Sequence, residues 1–216
     1  MEATYRLYDN LSSGNGYKCR LMMSLLGIPF ERVEVDIDRG ESRTAGFLAI
    51  NPNGRIPVLQ VAPDRYLAES NAILCFLADG TPYMPTDPWL RAQVMQWLFW
   101  EQYSHEPNVA TARFWITHKF EMTPERVHAL VLKREQGNAA LKLMDERLAG
   151  RRFLVDDRYT VADLALYAYT HVAEEGGFQL DRYDNVRAWL DRVAARDGHI
   201  AITEEVGLKP IDGGAP

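Results

Sequence analysis

The segment from Asn53 to Gln60 places Pro57 directly before a short extended apolar run, and this arrangement constrains the fold strongly. Proline has no backbone N–H and cannot donate to a sheet ladder, so a central strand is not expected to contain one. Pro57 therefore marks the start of a strand, Val58–Val61, and a cis peptide bond is one reason to keep a proline there. Residues 51–54, Asn-Pro-Asn-Gly, precede it and are typical of a turn.

A helix start follows this strand within a few residues. Glu69 and Ser70 open an apolar stretch of helical character, Ala72–Leu77. The first turn of a helix leaves backbone N–H groups without intrahelical partners, and these groups favour a carboxylate. The backbone before Pro57 and the helix start at Ser70 together predict a site for a small anionic peptide.

The charge balance of the chain disfavours two classes of partner. The 216 residues carry 30 acidic against 24 basic side chains, a net charge of −6, which disfavours nucleic acid and anionic membranes as partners. A local site can still attract a small anion. No apolar run approaches the ~18 residues of a membrane helix, and the first residues lack the basic region of a signal peptide. Cys19 and Cys75 form neither a disulfide framework nor a metal-ligand spacing, so we expect a cytoplasmic protein without a metal.

The chain divides into two regions of different character. Up to Ala78 the pattern follows the order βαβ, α, ββα, which predicts a mixed sheet covered by helices. Three prolines within residues 82–88 indicate a stiff linker, and the pattern beyond it is helical. The predicted domains are an α/β unit, residues 1–79, a linker, residues 80–88, and an all-helical unit, residues 89–216, whose tail from Lys209 is expected to be disordered.

These motifs, in this order and at this spacing, resemble those of cytosolic glutathione S-transferases over nearly the whole chain. The matching segments are Leu7-Tyr8, Ser12–Lys18, Asn51–Leu59, Glu69-Ser70 and Thr160–Asp163. The resemblance implies a thioredoxin-like N-terminal domain, an α-helical C-terminal domain, a homodimer, and glutathione as the co-substrate.

Within that family, the loop after the first strand is similar to that of bacterial nu-class and theta-like members, which place Ser or Thr and then Asn near the thiol. Here the loop reads Ser13-Gly14-Asn15-Gly16, followed by Lys18. Zeta-class isomerases and beta-class members both carry a cysteine in this loop. This chain has none there, so an isomerase role does not fit.

The resemblance assigns the thiol chemistry to Ser13 and Asn15. A free thiol is mostly protonated at neutral pH, and hydroxyl or amide donors aimed at the sulfur favour the thiolate. Ser13 is the first candidate for such a donor, with Ser12 in reserve, and Asn15 is the second group. The alternative is that Ser13 or Asn15 only caps the first helix, as such residues often do.

The other glutathione contacts are implied in the same way. The backbone of Ile56, before Pro57, is expected to pair with the cysteinyl unit of the ligand as a one-residue strand addition. Arg55 is the candidate partner of the glycyl carboxylate, and Lys18 is a weaker one. An exposed arginine in a loop is otherwise simply solvated.

At the helix start, Glu69 is expected to accept from the γ-glutamyl ammonium. Ser70 is expected to donate its hydroxyl and N–H to the γ-glutamyl carboxylate, and Asn71 shares this work. The alternative is an ordinary helix cap with an acidic residue at the positive end of the helix dipole.

The helical half supplies a predicted pocket for the acceptor substrate and one folding residue. Tyr103, Arg113 and Trp115 are the candidates for that pocket, which the resemblance places between the domains. Aromatic residues at helical spacing are more often core. Asp163 is predicted to accept from the Thr160 N–H, which would make it important for stability and not for ligand binding.

The resulting functional prediction is a glutathione S-transferase that activates the glutathione thiol for attack on an electrophilic small molecule. A glutathione-dependent disulfide-bond reductase, as in nu-class members, is the enzymatic alternative, and a non-catalytic glutathione-binding protein is the other. A reaction through a protein thiol is not expected, because Cys19 lies on a stripe of apolar residues that a helix would bury.

Overall fold

A computed structural model describes residues 5–207 in two compact units, residues 5–77 with 197–207 and residues 78–196. The expected disordered tail from Lys209 and the first four residues of the predicted α/β domain lie outside the described residues. Between residues 5 and 207, no helix is long and apolar enough to cross a membrane.

The first unit is a four-stranded mixed sheet with helices, as the pattern predicted. Its elements are β1 (Tyr5–Asp9), α1 (Gly14–Leu25), β2 (Phe30–Glu34), a 3-10 turn (Glu41–Arg43), α2 (Ala45–Ile50), β3 (Val58–Ala62), β4 (Arg65–Ala68) and α3 (Ser70–Ala78). The strand order is β2-β1-β3-β4, with β1 parallel to β2 and β3 antiparallel to both of its neighbours. Leu7 pairs with Leu59 across the two central strands, and both are fully buried.

The segment around Pro57 has the predicted form. The Ile56-Pro57 peptide bond is cis, and β3 begins at the next residue, Val58. The preceding turn is held by Asn51, whose Nδ2 donates to the Arg55 carbonyl at 2.7 Å and whose Oδ1 accepts from the Asn53 N–H at 3.1 Å. Asn51 thereby fixes the backbone that leads into Ile56.

Helix α1 begins earlier than the sequence pattern suggested. The prediction starts the helix at Tyr17, after a loop rich in Ser, Asn and Gly, whereas the helix starts at Gly14. The reason is a cap, because Ser13 Oγ accepts from the Gly16 N–H at 3.1 Å. Asp9, assigned to that loop by the sequence, is the last residue of β1.

The described C-terminal segment, residues 197–207, belongs to the first unit. The Tyr17 hydroxyl donates to the Ile200 carbonyl at 2.7 Å, and Arg20 Nη1 donates to the Ile202 carbonyl at 3.0 Å. The predicted limits differ from this division, because they assigned everything after residue 88 to the helical domain. Sequence periodicity cannot reveal that an irregular segment hydrogen-bonds to a distant helix.

The second unit is helical, as predicted. Its elements are α4 (Pro88–Trp100), a π-helical turn (Glu101–His105), α5 (Glu106–Thr117), α6 (Pro124–Leu148), α7 (Val161–Thr170), 3-10 turns at Ala173–Gly176 and Leu180–Arg182, and α8 (Asp184–Ala194). The sequence pattern predicts one aromatic helix from Trp89 to Tyr103, whereas the structure continues from α4 through the π-helical turn into α5. Pro107 accounts for the irregular turn, because its ring clashes with the carbonyl four residues before it in a regular helix.

Asp163 makes the hydrogen bond predicted for it. Its Oδ2 accepts from the Thr160 N–H at 3.0 Å, as expected for the start of α7. Its Oδ1 also accepts from the Leu154 N–H at 2.9 Å and from Trp189 Nε1 at 3.0 Å. Because the carboxylate is fully buried, it joins three separate segments of the helical unit.

Candidate functional site

The first unit brings the start of α1 together with the start of α3, although the two lie 55 residues apart in sequence. The Ser70 hydroxyl donates to Asn15 Oδ1 at 3.2 Å. Lys18 Nζ is 3.4 Å from Ser70 Oγ and 3.4 Å from Asn71 Oδ1. We call Asn15, Lys18, Ser70 and Asn71 the polar cluster. Three of its four members were predicted site residues.

Helix geometry explains how the polar cluster forms. Asn15 and Lys18 are three residues apart on α1 and therefore lie on one face of that helix. Ser70 and Asn71 are the first two residues of α3, where the backbone N–H groups lack intrahelical partners. Ser70 is almost fully buried and Lys18 is fully buried, whereas Asn15 and Asn71 are half-buried. The cluster therefore reaches from the interior toward the surface.

Lys18 is the member of this cluster whose neighbours differ from those that the sequence suggested. The sequence offered it as a weak partner for the glycyl carboxylate, but the structure places it beside Ser70 and Asn71, the residues predicted for the γ-glutamyl end. Lysine side chains are rarely fully buried, so the residue type gave no reason to expect Lys18 in the interior. Its spacing of three residues from Asn15 was the available signal.

Glu69 has an unusual backbone conformation directly before α3. Its φ is 70°, in the left-handed region that residues other than glycine seldom adopt, and its side chain is exposed. Such conformations cost free energy and are concentrated at ligand sites. The conformation presents Glu69 to solvent beside the nearly buried Ser70.

Ser13 acts as the cap of α1, which is the alternative role that the sequence left open. The cap uses a lone pair of Ser13 Oγ to accept from the Gly16 N–H, and a hydroxyl can accept and donate at the same time. The cap is therefore compatible with donation to a ligand. Ser12, the reserve candidate, is exposed, and its hydroxyl donates to Asn10 Oδ1 at 2.6 Å.

The predicted residues around Pro57 occupy the turn and the strand start. The Arg55 side chain is exposed, Ile56 is half-buried, and Pro57 is buried. The Arg55 carbonyl is held by Asn51, a buried side chain that the sequence treated only as part of a turn. Asparagine side chains often hydrogen-bond to the backbone of the turn that they begin. The position of Asn51 directly before Pro52 was therefore the signal that it stabilises this turn.

A buried ion pair joins the last residue of β1 to α1. Arg20 Nε donates to Asp9 Oδ2 at 2.9 Å, and both side chains are fully buried. Burial raises the pKa of Asp9 to about 6, and the charge of Arg20 opposes that rise. Burial also raises the pKa of the Cys19 thiol, which is consistent with the expectation that Cys19 is not a nucleophile.

The three predicted acceptor-pocket residues lie in two consecutive elements, the π-helical turn and α5. Tyr103 lies in the π-helical turn with 88% of its surface exposed. Arg113 is nearly buried on α5, and its Nε donates to Glu175 at 2.7 Å. Trp115 lies two residues further along α5, so it projects from a different side of that helix. The assignment of these residues to an acceptor pocket stays a prediction.

Comparisons with known proteins support the same family. The profile described as Glutathione S-transferase, N-terminal domain matches residues 3–79, and the profile described as Glutathione S-transferase, C-terminal domain matches residues 109–197. The crystal structure of a glutathione S-transferase from Pseudomonas fluorescens is 48% identical, with a TM-score of 0.90 over 93% of this chain and 99% of that one. The chain belongs to the glutathione S-transferase family. It accordingly has a thioredoxin-like domain followed by a helical domain.

Relatives with lower sequence identity carry other names. Protein URE2 of Candida glabrata is 28% identical over 89% of this chain, which spans about 65% of that protein's length. Ure2p, solved in complex with glutathione, is 25% identical with a TM-score of 0.82 over 92% of this chain and 97% of that one. The disulfide-bond oxidoreductase YghU of Escherichia coli is 28% identical over 88% of this chain and 71% of that protein.

Proposed function

We propose that this chain binds glutathione and activates its thiol for attack on an electrophilic small molecule, as a glutathione S-transferase. The observation that carries the proposal is the polar cluster at the start of α3, beside the left-handed Glu69. An anionic group placed there would meet helix N–H groups, the Ser70 hydroxyl and the charge of Lys18.

The γ-glutamyl end of glutathione matches the chemistry of this cluster. Its carboxylate suits the N–H groups at the start of α3, and its ammonium suits the exposed carboxylate of Glu69. The backbone of Ile56 is proposed to pair with the cysteinyl unit, and Arg55 is proposed to contact the glycyl carboxylate. Asn71 is proposed to bind together with Ser70. Ure2p, which is related to this chain, was solved with glutathione.

The thiol is proposed to lie near the start of α1. Ser13 and Asn15 would donate hydrogen bonds to the sulfur, and the N-terminus of α1 would add a favourable dipole. A lower thiol pKa raises the thiolate fraction at neutral pH, and the thiolate is the nucleophile. The thiolate then forms a bond to the electrophilic carbon of the acceptor, and the leaving group departs with the electron pair of the broken bond.

Calorimetric titration with reduced and with oxidised glutathione is the first test. Saturable binding of reduced glutathione, stronger than that of the oxidised form, is expected for a transferase. Glu69→Gln should weaken this binding, whereas Glu121→Gln, a change at another exposed glutamate outside the first unit, should leave it unchanged. An absence of binding by the wild-type protein would contradict the proposed function.

Ser13→Ala tests the thiol chemistry separately from binding. We expect turnover with a chloronitrobenzene acceptor to fall about tenfold or more. A rise of one unit in the pKa of the bound thiol corresponds to about 1.4 kcal/mol less stabilisation of the thiolate. The dissociation constant for glutathione should change little. Ser12→Ala is the matched control, since that serine is exposed and bonds Asn10. Equal turnover by Ser13→Ala and the wild type would remove Ser13 from the mechanism.

Disulfide-bond reduction with two glutathione molecules is the second candidate activity. It is supported by the similarity to YghU, named a disulfide-bond oxidoreductase, and by the absence of a cysteine from residues 10–18. In that reaction a glutathione thiolate attacks the substrate disulfide, and a second glutathione releases the product thiol and forms oxidised glutathione. Tighter binding of the oxidised form, with reduction of 2-hydroxyethyl disulfide, would favour this activity over conjugation.

The remaining features implied by the family are proposals of the same kind. We propose a cytoplasmic homodimer with a role in detoxification, in which Tyr103, Arg113 and Trp115 contribute to the acceptor pocket. Light scattering after gel filtration would measure the mass of the assembly against the 24.6 kDa of one chain. A non-catalytic glutathione-binding protein would bind glutathione but show no turnover with any acceptor.

A further inference from the structure

Lys18 is a fully buried lysine at the centre of the proposed glutathione site. A buried ammonium loses its hydration and must be compensated by polar contacts, so burying one is costly unless the surroundings are arranged for it. The oxygens within reach of Lys18 Nζ include Ser70 Oγ and Asn71 Oδ1, both at 3.4 Å. The Lys18 ammonium differs from an apolar side chain at this position in the hydrogen bonds that it donates.

The ammonium group fixes the direction of the hydrogen bonds around it. Lysine has three donors and no acceptor, so Lys18 must be the donor in both contacts. Ser70 Oγ therefore accepts from Lys18, and its single hydrogen is directed to Asn15 Oδ1, 3.2 Å away. A neutral amide or hydroxyl at position 18 could either donate or accept and would not enforce this order.

Because Lys18 and the Ser70 hydroxyl both donate, they also set the orientation of two amide groups. The Asn71 amide turns its oxygen toward Lys18, and the Asn15 amide turns its oxygen toward Ser70. In an amide the oxygen and the amino group are bonded to one planar carbon, so fixing the position of the oxygen also fixes that of the amino group. Amino groups donate, and donors are what a thiolate or a carboxylate requires.

We infer that Lys18 is a positioning residue that makes Ser70 Oγ and the amide oxygens of Asn71 and Asn15 the acceptors within the polar cluster, so that the amide amino groups and the helix N–H groups are the donors for an anionic ligand. This inference rests on the proposed function and deepens it. Lys18 acts on the carboxylate end through Asn71, and on the thiolate through Ser70 and Asn15. It accounts for a buried charge at a position where packing alone would favour an apolar residue.

Three variants of the full chain test the inference. Lys18→Met removes the charge and the donors at similar length, and Lys18→Gln keeps a neutral hydrogen-bonding group in case the first variant fails to fold. Lys142→Met is the matched control, because the Lys142 side chain is 71% exposed on α6. Chemical unfolding of each variant establishes that the folded protein is the one titrated.

Two measurements separate positioning from a structural role. The first is the affinity for S-methylglutathione, which has both carboxylates but no thiol, and it should fall about tenfold in both Lys18 variants. The second is the apparent pKa of the bound glutathione thiol, followed by the thiolate absorbance at about 240 nm, which should rise by about one unit. Lys142→Met should change neither quantity. A folded Lys18 variant that matches the wild type in both measurements would overturn the inference.

A double-mutant cycle with Asn15→Ala tests the route of action. If Lys18 acts on the thiolate through Asn15, the double variant should have the same bound-thiol pKa as Asn15→Ala alone. If the two shifts add, Lys18 acts on the sulfur by its charge alone, and the relay is refuted. Failure of the wild-type protein to bind any form of glutathione would instead overturn the proposed function, and the inference with it.

Discussion

Replacing Gly16 with alanine gives opposite predictions from helix propensity and from the structure. Gly16 lies in α1, and alanine is favoured over glycine within a helix by about 1 kcal/mol. An ideal Cβ on Gly16, however, would lie 1.4 Å from Asp9 Oδ1 and 2.2 Å from Asp9 Cγ. The carboxylate cannot stay where it is, so the local gain must be weighed against the displacement of Asp9.

The cost of moving Asp9 follows from its surroundings. Asp9 and Arg20 are both fully buried and paired at 2.9 Å, and breaking such a pair costs about 3–5 kcal/mol. After subtracting the propensity gain of about 1 kcal/mol, the expected net loss is roughly 2–4 kcal/mol. A shift of that size lowers the protection factor of an exchanging amide by about two orders of magnitude.

Hydrogen exchange is the suitable assay, because all five tryptophans lie in the helical unit and their fluorescence does not report on the first unit. Exchange should accelerate in peptides spanning residues 5–25. Gly46→Ala is the matched control, since Gly46 is helical and exposed and its Cβ would meet nothing within 4 Å. That variant should gain stability slightly. If Gly16→Ala behaved like Gly46→Ala, the packing of Asp9 against Gly16 would be refuted.

Two further predictions concern stability. Asp163→Ala removes the acceptor of three buried N–H groups and should destabilise the helical unit by roughly 3–5 kcal/mol, followed by the fluorescence of Trp189, with glutathione affinity unchanged. A folded variant with strongly reduced affinity would contradict the assignment of Asp163 to folding alone. A chain ending at Arg196 loses the carbonyls that accept from Tyr17 and Arg20, so it should show faster exchange in α1 and weaker glutathione binding. Unchanged exchange in α1 would show that these contacts do not stabilise the first unit.

The sequence predicted the features whose physical cause is local. The turn before Pro57 and the cap at the start of α7 both depend on residues within about four positions of each other. The sequence therefore predicted the position of that turn, and for the cap it also predicted the bond between Thr160 and Asp163. The order of strands and helices followed from the same kind of evidence, because hydrophobic periodicity is a property of neighbouring residues.

The sequence could not predict features that depend on distant partners. Asp9 and Gly16 appeared as loop residues, because nothing in their neighbourhood indicates that a carboxylate packs against the glycine. Residues 197–207 appeared as an irregular end, because their carbonyls are bonded by side chains about 180 positions earlier. Charged residues are expected at the surface, so a pattern of polarity assigns Lys18 there by default.

The two buried cations of α1 differ in the groups that they contact. Lys18 and Arg20 are two residues apart, so they project from different sides of the helix. Arg20 meets the carboxylate of Asp9 and the carbonyls of Leu11 and Ile202, which makes it a structural group. The contacts of Lys18 include Ser70 Oγ and Asn71 Oδ1 at the start of α3, where the helix dipole already favours an anion. Its positive charge adds to that of the helix end in attracting an anionic ligand. Loss of Arg20 should consequently be measured as stability, and loss of Lys18 as affinity.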